Sequence, residues 1–150
     1  MCNASVCTGR CTQCAPGQYK DVQGTGPCIM CPSHTFNVNR GSRDVDACRS
    51  CPLNSQTEPG VRGASNISAC SCVPGYYPAI PERAGPDYLR CEGCPQGGDC
   101  STGEFRPRVK GSRFVANAIT GYMRVSYCPP GHVMVPVSYT HLTLPTKRIV

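Results

Sequence analysis

The fold is decided by the stretch Cys11-Thr-Gln-Cys14-Ala-Pro-Gly-Gln-Tyr19, which recurs three times with variations. The later versions are Cys28-Ile-Met-Cys31-Pro-Ser-His-Thr-Phe36, Cys48-Arg-Ser-Cys51-Pro-Leu-Asn-Ser-Gln56 and Cys70-Ser-Cys72-Val-Pro-Gly-Tyr-Tyr77. A pattern repeated at intervals of about 20 residues is typical of small stacked units, each of which is too small to bury a core by itself. We therefore expect an array of such units.

The composition agrees with that expectation. The chain has 150 residues, of which 14 are Cys, 16 are Gly and 15 are Pro, and it contains no Trp. Few large apolar side chains are left to bury, so cross-links have to hold the units together. An even number of cysteines indicates disulfides and an oxidising compartment. The net charge of +6, to which Lys147 and Arg148 contribute two, is too mild to indicate nucleic acid binding.

A turn is predicted three residues after the second cysteine of each pair. That position holds residues that tolerate a positive φ angle, namely Gly17, His34, Asn54 and Gly75, and in two looser copies Gly97 and Gly131. Each pair should thus be followed by a tight reversal into a short strand. Two residues further on, the aromatic rings of Tyr19, Phe36 and Tyr77 should lie against a neighbouring disulfide. Gln56 takes that place in the third copy, which we expect to be the loosest.

Spacing favours one pairing of the cysteines, from the second cysteine of each pair to the first of the next. The loops closed in this way have 13, 16, 18 and 18 residues and are Cys14–Cys28, Cys31–Cys48, Cys51–Cys70 and Cys72–Cys91. A loop of that size contributes roughly 3 kcal/mol in the chain-entropy model. Bonds within a single Cys-x-x-Cys stay open as an alternative, although they would join nothing distant. The partners of Cys2, Cys7 and Cys11 do not follow from the sequence.

The phrase Cys-x-x-Cys-Pro-x-Gly-x-Tyr, followed by a Gly-containing loop and another cysteine pair, resembles the ephrin-receptor-like cysteine-rich repeat over residues 11–95. That repeat is similar to EGF-like, growth-factor-receptor and tumour-necrosis-factor-receptor cysteine-rich modules. The resemblance implies an extracellular, disulfide-bonded, non-catalytic module. Departures from the pattern are Cys70-Ser-Cys72, which lacks one residue, and Gln56. We predict a small disulfide-rich fold, an elongated array of short β-hairpin units with little or no helix.

Four segments are predicted along the chain. Residues 1–10 form a partial N-terminal unit, 11–95 the repeats, 96–136 a C-terminal unit and 137–150 a non-native tail that resembles translated adaptor sequence. In the C-terminal unit, residues 113–128 predict a two-stranded ribbon tied back by Cys128 to Cys94 or Cys100. The chain opens without a signal peptide and has no apolar run of membrane-span length. We therefore expect a piece of a longer protein whose membrane anchor lies outside it.

Two kinds of candidate site follow from the residues. The sequons Asn3-Ala-Ser and Asn66-Ile-Ser predict glycosylation in the secretory pathway. Arg106, Arg108 and Lys110 alternate with uncharged residues, so on an extended strand they would share one face, directed at an anionic glycan or an acidic partner. A solvated strand edge that is protected by its own charge is the alternative interpretation.

The predicted function is that of a structural stalk, or of an adhesion or ligand-binding module, in an extracellular or cell-surface protein. No enzymatic activity, metal or cofactor is expected; a protein or glycan ligand is possible, and nucleic acid is not. One alternative is an intracellular zinc-binding module, because the paired cysteines have the spacing of zinc ligands. The other is a secreted cysteine-rich factor that acts alone. His34 and His132 lie on predicted turns, which argues against a catalytic cysteine beside them.

Overall fold

The structure, a computed structural model, describes residues 9–135. Its regular elements are six two-stranded antiparallel sheets and two 3-10 helices of three residues each. The predicted disulfide-rich array of short hairpins with almost no helix is therefore confirmed. In this part of the chain, no helix has the length and hydrophobicity needed to cross a bilayer.

The strands pair with their nearest neighbours along the chain. In the first four hairpins, the strand after one cysteine pair bonds to the residues that lie at or between the cysteines of the next pair. The pairs are β1 (Gln18–Tyr19) with β2 (Ile29–Met30), β3 (Thr35–Phe36) with β4 (Arg49–Ser50), β5 (Ser55–Gln56) with β6 (Ser71–Cys72), β7 (Tyr76–Pro78) with β8 (Cys91–Gly93), β9 (Gly98–Asp99) with β10 (Arg106–Pro107), and β11 (Arg113–Ala116) with β12 (Met123–Tyr127). The 3-10 helices, Val45–Ala47 and Ile67–Ala69, directly precede Cys48 and Cys70.

Five disulfides close successive loops of the described chain. We name the loops ring 1 (Cys14–Cys28), ring 2 (Cys31–Cys48), ring 3 (Cys51–Cys70), ring 4 (Cys72–Cys91) and ring 5 (Cys94–Cys100). The first four are the pairs that the spacing favoured. Their Cα atoms are 5.5 to 5.9 Å apart, as a disulfide requires.

The turn after each cysteine pair has the predicted backbone conformation. All six residues at the third position have a positive φ: Gly17 (85°), His34 (67°), Asn54 (63°), Gly75 (94°), Gly97 (81°) and Gly131 (84°). Hydrogen bonds of the i+3 to i type close the reversals, for example from Ser55 N–H to Pro52 O at 3.0 Å. The predicted reversal is confirmed, and two of the six positions are filled without glycine.

The predicted bond from Cys128 to Cys94 or Cys100 is wrong. Cys94 and Cys100 are joined to each other, and Cys128 is a free thiol of intermediate exposure. The positive φ of Gly97 reverses the chain between the two cysteines and brings their Cα atoms to 5.7 Å. The local bond therefore replaces the long-range one that we expected.

The ribbon β11–β12 is instead held against ring 4 by an aromatic cluster and hydrogen bonds. The Phe105 ring lies 6.0 Å from the Tyr77 ring and 4.7 Å from the Phe114 ring, measured between centroids. The Tyr77 hydroxyl accepts the Met123 N–H at 2.9 Å. Gly121, in the turn of the ribbon, has no room for a side chain, because a Cβ there would lie 2.4 Å from Ile80 N. The predicted ribbon is present and is anchored without a disulfide.

Two glycines at the same position of the repeat should respond differently to Asn. A Cβ on Gly17 would lie 2.2 Å from the Gly63 carbonyl oxygen of ring 3, whereas a Cβ on Gly75 would meet nothing within 4 Å. Asn54 has a positive φ at the equivalent position, so the conformation itself tolerates Asn. We expect Gly17→Asn to lower the free energy of unfolding by about 2 kcal/mol or more, and Gly75→Asn by roughly 1 kcal/mol or less. Urea titration of the oxidised proteins measures both, and equal losses would contradict the close approach of rings 1 and 3.

Candidate functional site

The joints between consecutive rings repeat one backbone hydrogen bond. The carbonyl oxygen of the positive-φ residue accepts an N–H from the next cysteine pair, at 2.8 to 3.1 Å. The donors and acceptors are Cys31 to Gly17, Cys51 to His34, Val73 to Asn54 and Cys94 to Gly75. Val73 takes the place of a cysteine because Cys70-Ser-Cys72 is one residue short. Each turn is thereby bonded to the unit that follows it.

A buried residue occupies the same place in four units, nine positions after the first cysteine of each pair. These residues are Asn37, Thr57 and Ala79, each with 0% exposure, and Cys100 with 3%. In three of the units it accepts an N–H from the preceding turn: Gly17 to Asn37 O (2.7 Å), His34 to Thr57 Oγ1 (3.0 Å) and Gly75 to Cys100 O (2.8 Å). Our sequence reasoning missed this position. The signal was present, because small side chains recur there at a constant offset.

Asn37 contacts three rings at once. Its Nδ2 donates to Gln18 O in ring 1 at 3.1 Å and to Ser42 Oγ in ring 2 at 2.8 Å. Its backbone N–H donates to Ala64 O in ring 3 at 3.0 Å. A fully buried polar side chain of this kind is stable only when its hydrogen bonds are made. The polar network therefore specifies how rings 1, 2 and 3 fit together.

His34 is held by Thr57 from the next ring. Thr57 Oγ1 accepts the His34 N–H and lies 3.2 Å from His34 Nδ1. The imidazole nitrogen and the left-handed backbone of His34 both contribute contacts to the joint between rings 2 and 3. This geometry agrees with the interpretation of His34 as a turn residue rather than a catalytic base.

Two of the predicted aromatic residues lie against the next disulfide. Phe36 of ring 2, with 9% exposure, packs in one cluster with Cys70 of ring 3. Tyr77 of ring 4, with 3% exposure, packs with Cys100 of ring 5. Tyr19 is half-buried, and Gln56 is exposed. That the third copy is the loosest remains a prediction.

The basic row does not form one face of a strand. Strand β10 ends at Pro107, and Arg108 is bonded to its own hairpin, through N–H to Gly97 O (2.8 Å) and through the guanidinium to Gly98 O (3.2 Å). Lys110 lies in a turn that Ser112 closes by donating its N–H to Val109 O at 3.1 Å. The predicted common face of Arg106, Arg108 and Lys110 is therefore wrong. The positive φ of Gly111 allows the turn that ends the extended segment.

Asp99 lies opposite Arg106 in the β9–β10 register. The Ser101 N–H donates to its carboxylate at 3.0 Å, and this bond is the main cause of a lowered pKa for Asp99. The positive charges of Arg108 and Arg106 lower that pKa further. The carboxylate therefore stays ionised at neutral pH and offsets part of the positive charge of this unit.

Of the remaining candidate sites, some lie in residues 9–135, which the structure describes, and others lie near the chain termini. Asn66 is exposed and caps the second 3-10 helix. Asn3, Cys2, Cys7 and the tail 137–150 lie outside the described residues. Among residues 9–135, no group of three or more His, Cys, Asp or Glu side chains is placed to hold a metal ion.

Comparison with known proteins supports the resemblance seen in the repeats. Residues 4–48 match the family described as tyrosine-protein kinase ephrin type A/B receptor-like. The cysteine-rich repeats of the chain are therefore similar to ephrin-receptor-like repeats. It is 42% identical over 71 residues (47% of the chain) to ephrin type-B receptor 2 of Gallus gallus, and 35% identical over 65 residues (43%) to ephrin type-B receptor 3 of Gallus gallus.

A third similar protein is not named as an ephrin receptor. It is the sushi, von Willebrand factor type A, EGF and pentraxin domain-containing protein 1 of Mus musculus, 32% identical over 87 residues, or 57% of the chain. The matches span 6% of each ephrin receptor and 2% of the mouse protein. The similarity and the disulfides together point to a receptor-type module in an extracellular or cell-surface location.

The joint between rings 2 and 3 should weaken when Thr57 loses its hydroxyl. Thr57→Val keeps the shape but leaves the His34 N–H, which makes a part-buried bond, without its acceptor, and this should cost about 1 to 3 kcal/mol. We expect the Cys51 amide, which bonds to His34 O, to exchange its hydrogen roughly 5- to 100-fold faster. Nitroxide labels introduced as unnatural amino acids at exposed Val22 and Leu53 should also show a wider distance distribution.

Thr57→Ser is the matched control, because it keeps the oxygen and removes only a methyl group. It should leave Cys51 exchange close to that of the unaltered protein. If the Val and Ser variants behaved alike, the hydroxyl would not hold the joint.

Proposed function

We propose that the chain is an extracellular spacer segment, which holds other parts of a cell-surface or secreted protein at a set separation. The observation that carries this proposal is the recurring joint. At all four joints between rings 1 to 5, the positive-φ turn is bonded through its carbonyl to the next unit, and in three of these joints a buried residue of that unit accepts the turn's N–H. A chain joined only by flexible two-residue links would need none of these bonds.

The contacts between rings extend beyond neighbours, and this supports the spacing role. The loop of ring 3 reaches back to ring 1, where Gly63 closely approaches Gly17. Residues 64 and 36 form a parallel bridge between rings 3 and 2. Because bending at one joint would break bonds at the next, we infer that the array resists bending. The Thr57→Val labelling experiment tests this inference directly.

We infer that the module itself is not catalytic. The side chains that could act as nucleophile or base take part in structural bonds. Ten cysteines are in disulfides, and the imidazole of His34 is hydrogen-bonded to Thr57. The same disulfides disfavour the intracellular zinc alternative, since zinc binds thiolates and not disulfide sulfur. The secreted-factor alternative would require the repeats to act alone. The matched share of the similar proteins, 2 to 6% of their length, favours a part of a larger protein instead.

The thiol content of the chain separates the extracellular module from the zinc module. Residues 1–150 are secreted behind a cleavable signal peptide, denatured without reductant, alkylated and mapped by mass. We expect the ten ring cysteines to be unlabelled, Cys11 and Cys128 to be labelled, and no stoichiometric zinc to be bound. Labelled Cys-x-x-Cys thiols together with one zinc per site would overturn the proposal.

A second candidate function, binding to an anionic partner, is favoured by the distribution of charge. Residues 96–135 contain five basic side chains against two acidic ones, whereas residues 9–95 contain eight against seven. The C-terminal unit therefore concentrates the positive charge of the array. Arg106 and Lys110 are exposed, and within the described part of the chain their side chains, unlike that of Arg108, make no hydrogen bond to the backbone.

Heparin, as a sulfated glycan, is a suitable probe for this candidate. We expect Arg106→Ala/Lys110→Ala to elute from a heparin column at lower salt than the unaltered chain, because two exposed charges of the basic unit are lost. The control, Arg40→Ala/Arg43→Ala, removes two exposed charges from ring 2. Equal reductions in the two variants would assign retention to net charge and contradict a site on the C-terminal unit.

A further inference from the structure

An exposed turn, capped by Asn66, lies directly before Cys70, the cysteine that closes ring 3. Asn66 has an extended backbone (φ −153°, ψ 153°), and its Oδ1 accepts the Ser68 N–H at 2.9 Å, which begins the 3-10 helix Ile67–Ala69. Asn66 and Ser68 are both exposed. Among residues 9–135, Nδ2 of Asn66 has no hydrogen-bond partner. The amide thus uses its oxygen for the fold and presents its nitrogen to solvent.

We propose that Asn66 carries an N-linked glycan, an inference that rests on the proposed extracellular function. The sequon Asn66-Ile67-Ser68 supplies the amide nitrogen and the hydroxyl two residues later that the modification requires. The co-reactant is an oligosaccharide joined through pyrophosphate to a polyisoprenoid lipid. A bond forms between Nδ2 and the sugar C1, the C1–O bond to pyrophosphate breaks, the lipid pyrophosphate leaves, and the amide loses one proton.

The folded ring can hold this glycan without losing its cap. Glycosylation occupies Nδ2, whereas the bond that starts the 3-10 helix is made by Oδ1. The neighbouring Ile67 lines a shallow hollow with Phe36, Val38 and Pro52. Val38 in this hollow is 50% exposed, and Asn66 is the chain neighbour of Ile67. A sugar on Asn66 would therefore restrict the approach of a partner to this side of ring 3.

Ring 2 contains the same turn in a form that cannot be glycosylated. Asp44 has nearly the same backbone (φ −148°, ψ 147°) and accepts the Asp46 N–H at 2.8 Å. Asp44 and Asn66 each lie four residues before the first cysteine of a pair. The two turns differ in the chemistry of the capping side chain and of the residue two positions on. Asp44→Asn/Asp46→Ser would convert the first turn into the second.

The experiment translates the full chain, behind a signal peptide, with microsomes, and analyses only the protease-protected product. Because Asn3 lies in a second sequon, every variant also carries Asn3→Gln. We expect one glycan, sensitive to peptide N-glycosidase, that is retained in Ser68→Thr and lost in Ser68→Ala and in Asn66→Asp. The Asp44→Asn/Asp46→Ser variant should carry two.

The outcomes separate this proposal from the proposed function. A translocated chain with an unmodified Asn66 overturns the glycan assignment, whatever the state of its cysteines. A double variant without a second glycan contradicts the argument that an exposed capped turn of this kind accepts the sugar. Free ring cysteines with bound zinc in the alkylation experiment would count against the extracellular function alone.

Discussion

The array depends on a residue with a left-handed backbone three positions after each cysteine pair. At the joints of Gly17, His34 and Gly75, its N–H and its carbonyl are both bonded to the following unit. An extended residue at this place would direct these groups elsewhere, and the next ring would lose its attachment. The disulfides close the rings, whereas these turns determine how one ring follows another.

The chain replaces a hydrophobic core with contacts that each serve two units. The aromatic side chains of Phe36 and Tyr77 pack with a disulfide-bonded cysteine of the following unit, so the cross-link also supplies apolar surface. Asn37 and Thr57 fill the remaining space with side chains whose hydrogen bonds are made across the joint. Polar residues can fill such a small interior only when their partners are fixed, and the rings fix them.

Much of this arrangement could be read from spacing, because disulfide loops and left-handed turns are local. Cysteine intervals gave four pairings, and the residues Gly, His and Asn gave the turns. Contacts between residues that are far apart in the chain could not be predicted, because no local sequence pattern indicates them. The Tyr77 hydroxyl meets Met123 across 46 positions, and this docking makes a bond from Cys128 unnecessary. The position of Lys110 was predicted wrongly for a different reason. The alternation of charges suggested one continuous strand, whereas the chain turns at Gly111, which has a positive φ.

The buried position keeps its distance from the first cysteine even where the repeat is one residue short. At Cys70-Ser-Cys72 one residue is missing, yet the buried position is still nine residues after the first cysteine, at Ala79, because β7 is three residues long. The adjustment has a cost at this joint. Ala79 offers only a methyl group where Asn37 and Thr57 offer hydrogen bonds, and Gln56 offers no aromatic ring to the disulfide of ring 4.

The junction of rings 3 and 4 therefore differs from the joints on either side. It keeps the bond from Val73 to Asn54 and the packing of Leu89 against the cluster of ring 3. Rings 1 to 3 are tied together by Asn37, and rings 4 and 5 are tied to the C-terminal ribbon by Tyr77. Under load, bending of the array should concentrate between these two better-joined parts. In the described rings, this junction has Ala79 at the buried position and Gln56 at the aromatic position, so it lacks both the polar contact and the aromatic contact that the neighbouring joints use.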